Sequence, residues 1–295
     1  MNSNSYGKPQ PSKKDRREEA REKARIMRAE EQKRKKRNSI LVRSGIGVGV
    51  LAVAAIVALV IVNSTAPAAA GPLNMASDGI LLTGDGTSVT AVETTAAPAN
   101  ATPNPTDQTA LTGTANIAVY LDYLCPYCGQ FETANGEQIT SWVTAGNATL
   151  EIHPLSILDS SSAGSKYSTR AANAAACVAN YDPNKFLAVN TALFANQPQE
   201  GTTGLTNKQL VSLVEEAGVT DAAVANCIND QEFSSWVATA TDRALAGPIP
   251  NSDIEKIQGT PTVLVNGVSY TGSLTDTTAF ANFVTEQVGA TAGTE

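Results

Sequence analysis

The sequence predicts an α/β domain with a helical insertion, preceded by a single N-terminal transmembrane helix. Three observations predict it. Residues 44–62 read SGIGVGVLAVAAIVALVIV, 19 residues without a charge. At about 1.5 Å per residue that is just enough to cross a hydrocarbon core of about 30 Å. Strand-like alternation at 116–122 runs straight into helical text at Pro126, and a second short strand follows at 149–154, a β-α-β order. From about 165 to 246 the text is helical almost throughout, and strand text returns only at 261–270.

The chain begins with a basic tail. Residues 1–43 carry 15 Lys/Arg and 6 Asp/Glu, whereas the whole chain of 295 residues has a net charge of −7, so the body is acidic. An acidic body argues against nucleic-acid binding, which needs clustered Lys and Arg. Lys33, Arg34, Lys35, Lys36, Arg37 and Arg43 precede the apolar run, and no Lys or Arg occurs between Arg43 and Lys166. The basic side stays cytoplasmic, so the expectation is a single-pass cell-membrane protein with residues 1–43 inside and 63–295 outside. Glu19/Lys23, Glu30/Arg34 and Glu31/Lys35 are spaced for helical ion pairs. A 43-residue head is too long for an ordinary cleaved signal, and the run therefore reads as an anchor in the lipid bilayer.

Residues 63–112 read as a linker. AAPANATPNPTDQTA at 96–110 is poor in large apolar residues and rich in proline, the composition of a spacer or exposed loop. Within it, 79–91 (GILLTGDGTSVTA) predicts a β-hairpin turning at Gly84–Asp85–Gly86. The α/β domain is expected at 113–290. Its strands are NIAVYLD at 116–122, 149–154, and PTVLV at 261–265, with Asn266–Gly267 turning the last of these back at 268–270. Its helices are 126–144, the insertion at about 165–246 with Thr206 and Gln209 as a capping box, and 275–288 with Gly289 as its stop.

Chemistry concentrates in the cysteines. Cys125-Pro126-Tyr127-Cys128 follows a strand and opens a helix. A thiolate is the nucleophile in thiol chemistry, and a helix N-terminus stabilises an anion, so Cys125 is expected to have a depressed pKa. Cys128 lies within reach to resolve a mixed disulfide. Pro126 suits the first helical turn. A zinc ribbon would need a second close pair, and Cys177 and Cys227 stand apart. One histidine, His153, excludes a multi-histidine metal cage; it is read as a packed structural residue. Asp122 reads as an exposed strand-end carboxylate, the alternative being a modulator of Cys125. Outside the cytoplasm Cys177 and Cys227 are expected to pair as a structural disulfide, the alternatives being inert buried thiols or a relay with the active pair.

YLDYLCPYCGQF (120–131), the helical insertion and GTPTVLVNG (259–267) together resemble the DsbA-type thiol–disulfide oxidoreductases of the thioredoxin superfamily, in their membrane-anchored actinobacterial form. The resemblance spans roughly 115–289 and, at its widest, takes in the hairpin from about 79. Pro-Tyr between the cysteines is also typical of glutaredoxins, which are shorter, cytoplasmic and glutathione-dependent. The resemblance implies a thioredoxin-like fold with Cys125 and Cys128 as the catalytic pair. It also implies a cis Pro261 against that pair, and Thr260, Pro261, Pro126 and Tyr127 meeting the substrate. It implies substrate attack on an exposed Cys125 sulfur, so that disulfides are introduced into exported proteins with cysteine thiols. Reoxidation would fall to a DsbB-like or vitamin K epoxide reductase-like membrane partner. No metal or organic cofactor is needed. The competing readings are a tethered reductase serving, for example, cytochrome c maturation, a binding module with a structural disulfide, and a membrane-tethered sensor.

Overall fold

A computed structural model describes residues 70–111 and 114–292. The basic tail and the apolar run at 44–62 lie outside them. Among the described residues no helix is long and apolar enough to cross a membrane.

The chain forms six strands, β1 (Ile80–Gly84), β2 (Val89–Ala91), β3 (Ala115–Leu121), β4 (Ala148–Pro154), β5 (Thr262–Val265) and β6 (Val268–Ser269), in one sheet ordered β2-β1-β4-β3-β5-β6. The central pair β3–β4 is parallel and every other pair is antiparallel. A parallel pair needs a long crossover, and here that crossover is α1 (Pro126–Thr144). Its buried residues Cys128, Phe131, Asn135, Ile139 and Val143 recur at helical spacing. They meet the sheet face built by Ile117, Val119, Leu121, Leu150 and Ile152. The opposite face presents Ala118, Tyr120 and Leu264 to Leu155, Ile249 and Ile257, as the two-residue period of a strand requires.

Between β4 and β5 come α2 (Tyr167–Tyr181), α3 (Phe186–Ala195), α4 (Asn207–Glu216), α5 (Ala222–Asp230) and α6 (Ser234–Ala246). Helix α2 is the axis of this insertion. Six of its residues from Ala171 to Ala179 are buried alanines, small enough for neighbouring helices to approach closely. Thr206 and Gln209 form the expected reciprocal capping box on α4. Helix α7 (Thr277–Ala292) ends the domain and packs Phe280 between Phe131, Trp142 and Tyr270.

Three local expectations change. The hairpin is present but turns at 85–88, where Asp85 Oδ1 accepts from the Thr87 and Ser88 N–H groups at 2.8 Å. Gly84 is instead the end of β1, where any Cβ would strike the Val143 carbonyl. The hairpin also belongs to the sheet, since β1 pairs with β4, and the proline-rich segment after it is tied down rather than free. The Gly71, Asn74 and Asn104 N–H groups donate to the carbonyls of Ala97, Thr94 and Ala76. Composition marks such a segment as unable to form its own core, not as unable to lie on one. Finally, α7 passes through Gly289, because an interior glycine costs a helix only about 1 kcal/mol.

Candidate active site

Strand β3 ends at Leu121, and the chain crosses Asp122–Leu124 to enter α1 at Cys125, its N-cap. Asp122 is not an exposed carboxylate; it is 0% exposed. Its two oxygens accept from the Leu124 and Leu158 N–H groups, each at 2.9 Å, which locks the turn before Cys125 to the segment after β4. Burial pushes its carboxyl up from the ordinary range, against those two donors. Tyr123 is fully buried, donates to Asn190 Oδ1 at 3.0 Å and packs on Phe194, which joins the turn to α3.

Cys125 and Cys128 are both free thiols at the first turn of α1. The Thr260–Pro261 bond is cis, as the resemblance implies, and brings the Thr260 carbonyl 3.1 Å from Cys125 Sγ. A second cis bond, Gly247–Pro248, was not expected. The Thr260 carbonyl accepts from the thiol and so favours its protonated form. The hydrogen bond from the Cys128 thiol acts in the opposite sense, with the Thr260 hydroxyl and the Cys128 and Tyr127 N–H groups behind it. These outweigh burial and hold Cys125 at about 6, below the ordinary 9.0. Cys128 is displaced the other way, well above 9.0, by burial first and then by the neighbouring Cys125 sulfur. One sulfur is thus poised as an anion and the other held as a thiol.

Cys125 is less open than expected, at 4% exposure, because the Thr260–Pro261 turn lies over it. Tyr127 is 61% exposed and Pro126 is also exposed, so the surface beside the pair is formed by the two intervening residues. Beneath it, Cys128, Glu132, Phe131, Phe194 and Pro261 line a cavity of about 20 Å³, room for about one water. Glu132 stands one turn beyond Cys128 and accepts from the Thr191 hydroxyl at 3.1 Å; burial pushes its carboxyl up.

Sequence reasoning missed Glu132, which only the i,i+4 spacing from Cys128 signals. It also missed Gln197, whose side chain reaches the Cys125 carbonyl from the insertion; nothing in the sequence marks it. Cys177 and Cys227 form a disulfide between α2 and α5. His153 is buried and stacked on Tyr120 at 4.2 Å, on the sheet face opposite the Cys128 cavity. Among the described residues no cluster of three or more His, Cys, Asp or Glu could hold a metal.

A thioredoxin family model matches residues 112–283, a span that contains both cysteines of the pair and the cis-proline turn. The chain belongs to the thioredoxin family. Two relatives at 30% and 31% identity, each covered to 93% of its length, place it among the DsbA-like protein-disulfide oxidoreductases. The reduced form of the disulfide bond oxidoreductase DsbG from Mycobacterium tuberculosis is 30% identical with a TM-score of 0.53, covering 74% of this chain and 93% of that one. Oxidised DsbA from the same organism is 31% identical with a TM-score of 0.53, covering 72% of this chain and 93% of its own. BdbD from Bacillus subtilis shares the fold at 18% identity and a TM-score of 0.51, covering 76% of this chain and 100% of that one. Comparison with curated protein sequences finds no match. The Cys125–Cys128 turn under Pro261 is the candidate site of this chain.

Proposed function

We propose that this thiol–disulfide oxidoreductase works outside the cytoplasm, tethered through residues 44–62, and introduces disulfides into exported proteins. The observation that carries this reading is the opposed acidity of the pair, with Cys125 lowered to about 6 and Cys128 raised well above 9.0. An anionic Cys125 stabilises the reduced enzyme, which favours giving the disulfide away. The Cys177–Cys227 bond supports an oxidising compartment, where such bonds persist. The basic residues before the apolar run support the orientation.

In the oxidised enzyme a substrate thiolate attacks Cys125 Sγ, forming a mixed disulfide while the Cys125–Cys128 bond breaks and its electron pair leaves with Cys128. Cys128 takes a proton, for which the Glu132 carboxyl is the one acid among the residues lining the shared cavity. A second substrate thiolate then attacks the substrate sulfur and expels Cys125 as a thiolate. The substrate has lost two electrons and the enzyme has gained them. A DsbB-like or vitamin K epoxide reductase-like membrane protein removes them. Thr260 and Pro261 shape the turn over Cys125, with Pro126 and Tyr127 the exposed surface the substrate crosses.

A reductase is the second reading, and the same thiol motivates it. A midpoint near 6 lies nearer the ~7 of thioredoxin than the ~3.5 of DsbA. Equilibration of the pair against glutathione decides. A potential near about −120 mV supports the oxidase, and one near about −270 mV makes the chain a reductase. Cys125→Ser must abolish both insulin reduction and oxidation of reduced scrambled substrate. Full activity in that variant would remove the pair from the chemistry altogether.

A further inference from the structure

We propose that Gln197, in the helical insertion, is a positioning residue for the redox turn, and that Gly129 is a glycine so that the Gln197 amide can reach it. This rests on the reading that Cys125 is the attacked cysteine.

Gln197 follows the C-cap of α3, where its own N–H donates to the Phe194 carbonyl at 3.1 Å. Its Nε2 donates to two carbonyls on either side of Leu124, Tyr123 at 3.1 Å and Cys125 at 2.9 Å. Both partners are acceptors only, which settles the orientation of the amide. The Cys125 carbonyl already accepts the first helical N–H, from Gly129 at 3.2 Å. Gln197 therefore adds a second donor to the carbonyl at the point where α1 begins. It fixes the direction in which the Tyr127 and Cys128 N–H groups face Cys125 Sγ.

The other end of the same amide faces Gly129. A Cβ on Gly129 would lie 2.4 Å from Gln197 Oε1 and 3.2 Å from its Cδ. Gly129 sits in the fourth position of α1 with no positive φ. At such a helix position alanine ordinarily stabilises relative to glycine. The structure supplies the reason the glycine stands there: the space its side chain would take is filled by the amide from the insertion. Because the amide is the flexible end of a side chain, a methyl at 129 would push it aside and break its two hydrogen bonds, not break the helix.

The two positions must then behave as one unit. The test compares Gln197→Met, which keeps the length without the donors, with Gly129→Ala, Gln197→Ala and the Gly129→Ala/Gln197→Ala double variant, all in the full chain. The readouts are the ultraviolet thiolate titration of Cys125 and the thermal midpoint of the reduced protein. Gln197→Met and Gly129→Ala should each raise the thiolate midpoint by about half to one pH unit, a roughly three- to tenfold loss of anion preference, as weakened alignment of a helix terminus would give. Gly129→Ala should lower the thermal midpoint in the wild-type background yet raise it in the Gln197→Ala background, and the double variant should titrate like Gln197→Ala alone. A purely structural Gln197 would move the thermal midpoints and leave the titration at the wild-type value, and that result overturns the proposal. Additive effects of Gly129→Ala and Gln197→Ala on the titration overturn it as well. If the wild-type chain exchanges no disulfides while the variants still shift the titration, the oxidoreductase reading fails and the positioning role stands.

Discussion

Cys125 gains its acidity from its place in the chain: it is the last residue before α1, its sulfur faces the donors of the first turn, and the Cys128 thiol donates to it. All of that is legible in the order strand, Cys-x-x-Cys, helix. What the order did not reveal is the support around the turn. Asp122 reads in sequence as a strand-end carboxylate, and only the fold shows the Leu158 N–H arriving from 36 residues away to meet it. Burial raises its carboxyl. Asp122 is the partner of two backbone donors, and burial works against its ionised form. Asp122→Ala should lower the unfolding free energy by about 1–3 kcal/mol by leaving the Leu124 and Leu158 N–H groups unpaired, measured by urea denaturation. An unchanged midpoint would mean that water replaces the carboxylate there. Gln197 was illegible for a related reason: a polar residue just after a helix carries no sign of the distant carbonyls it will meet.

At the level of elements, amphipathic periodicity and turn chemistry translated well. Helix α1 runs at the residues its periodicity predicts, and Asn266–Gly267 turns β5 into β6 with both residues at positive φ. The proline-rich segment after β2 did not translate, because composition reports on what a segment can bury alone and not on the surface waiting for it. The sequence expects Cys177 to pair with Cys227, and the packing of α2 against α5 brings the two sulfurs together. The bond closes a separation of 50 residues. The chain-entropy account then predicts that Cys177→Ala/Cys227→Ala lowers the unfolding free energy by about 4 kcal/mol. The Cys125 thiolate titration should not change. Loss of that titration in the double variant would instead couple the bond to the redox turn.

For the whole molecule, the oxidised and reduced forms should differ in stability with a definite pH dependence. Cys125 titrates at about 6 when folded and reduced, against 9.0 for an ordinary cysteine. A depressed pKa contributes stability that is complete above the unfolded value and is lost as pH falls toward the folded one. The reduced protein should therefore gain thermal stability over the oxidised protein as pH rises from 6 toward 9. Above 9 the buried Cys128, raised well beyond its ordinary value, opposes any further gain because the unfolded chain ionises there and the folded one does not. The measurement closest to the source of this behaviour is the ultraviolet thiolate titration of the reduced full-length chain, with Cys125→Ser as its blank. The account predicts one thiolate appearing with a midpoint near 6 that vanishes in Cys125→Ser. A first midpoint near 9, or a midpoint near 6 that survives Cys125→Ser, would contradict it.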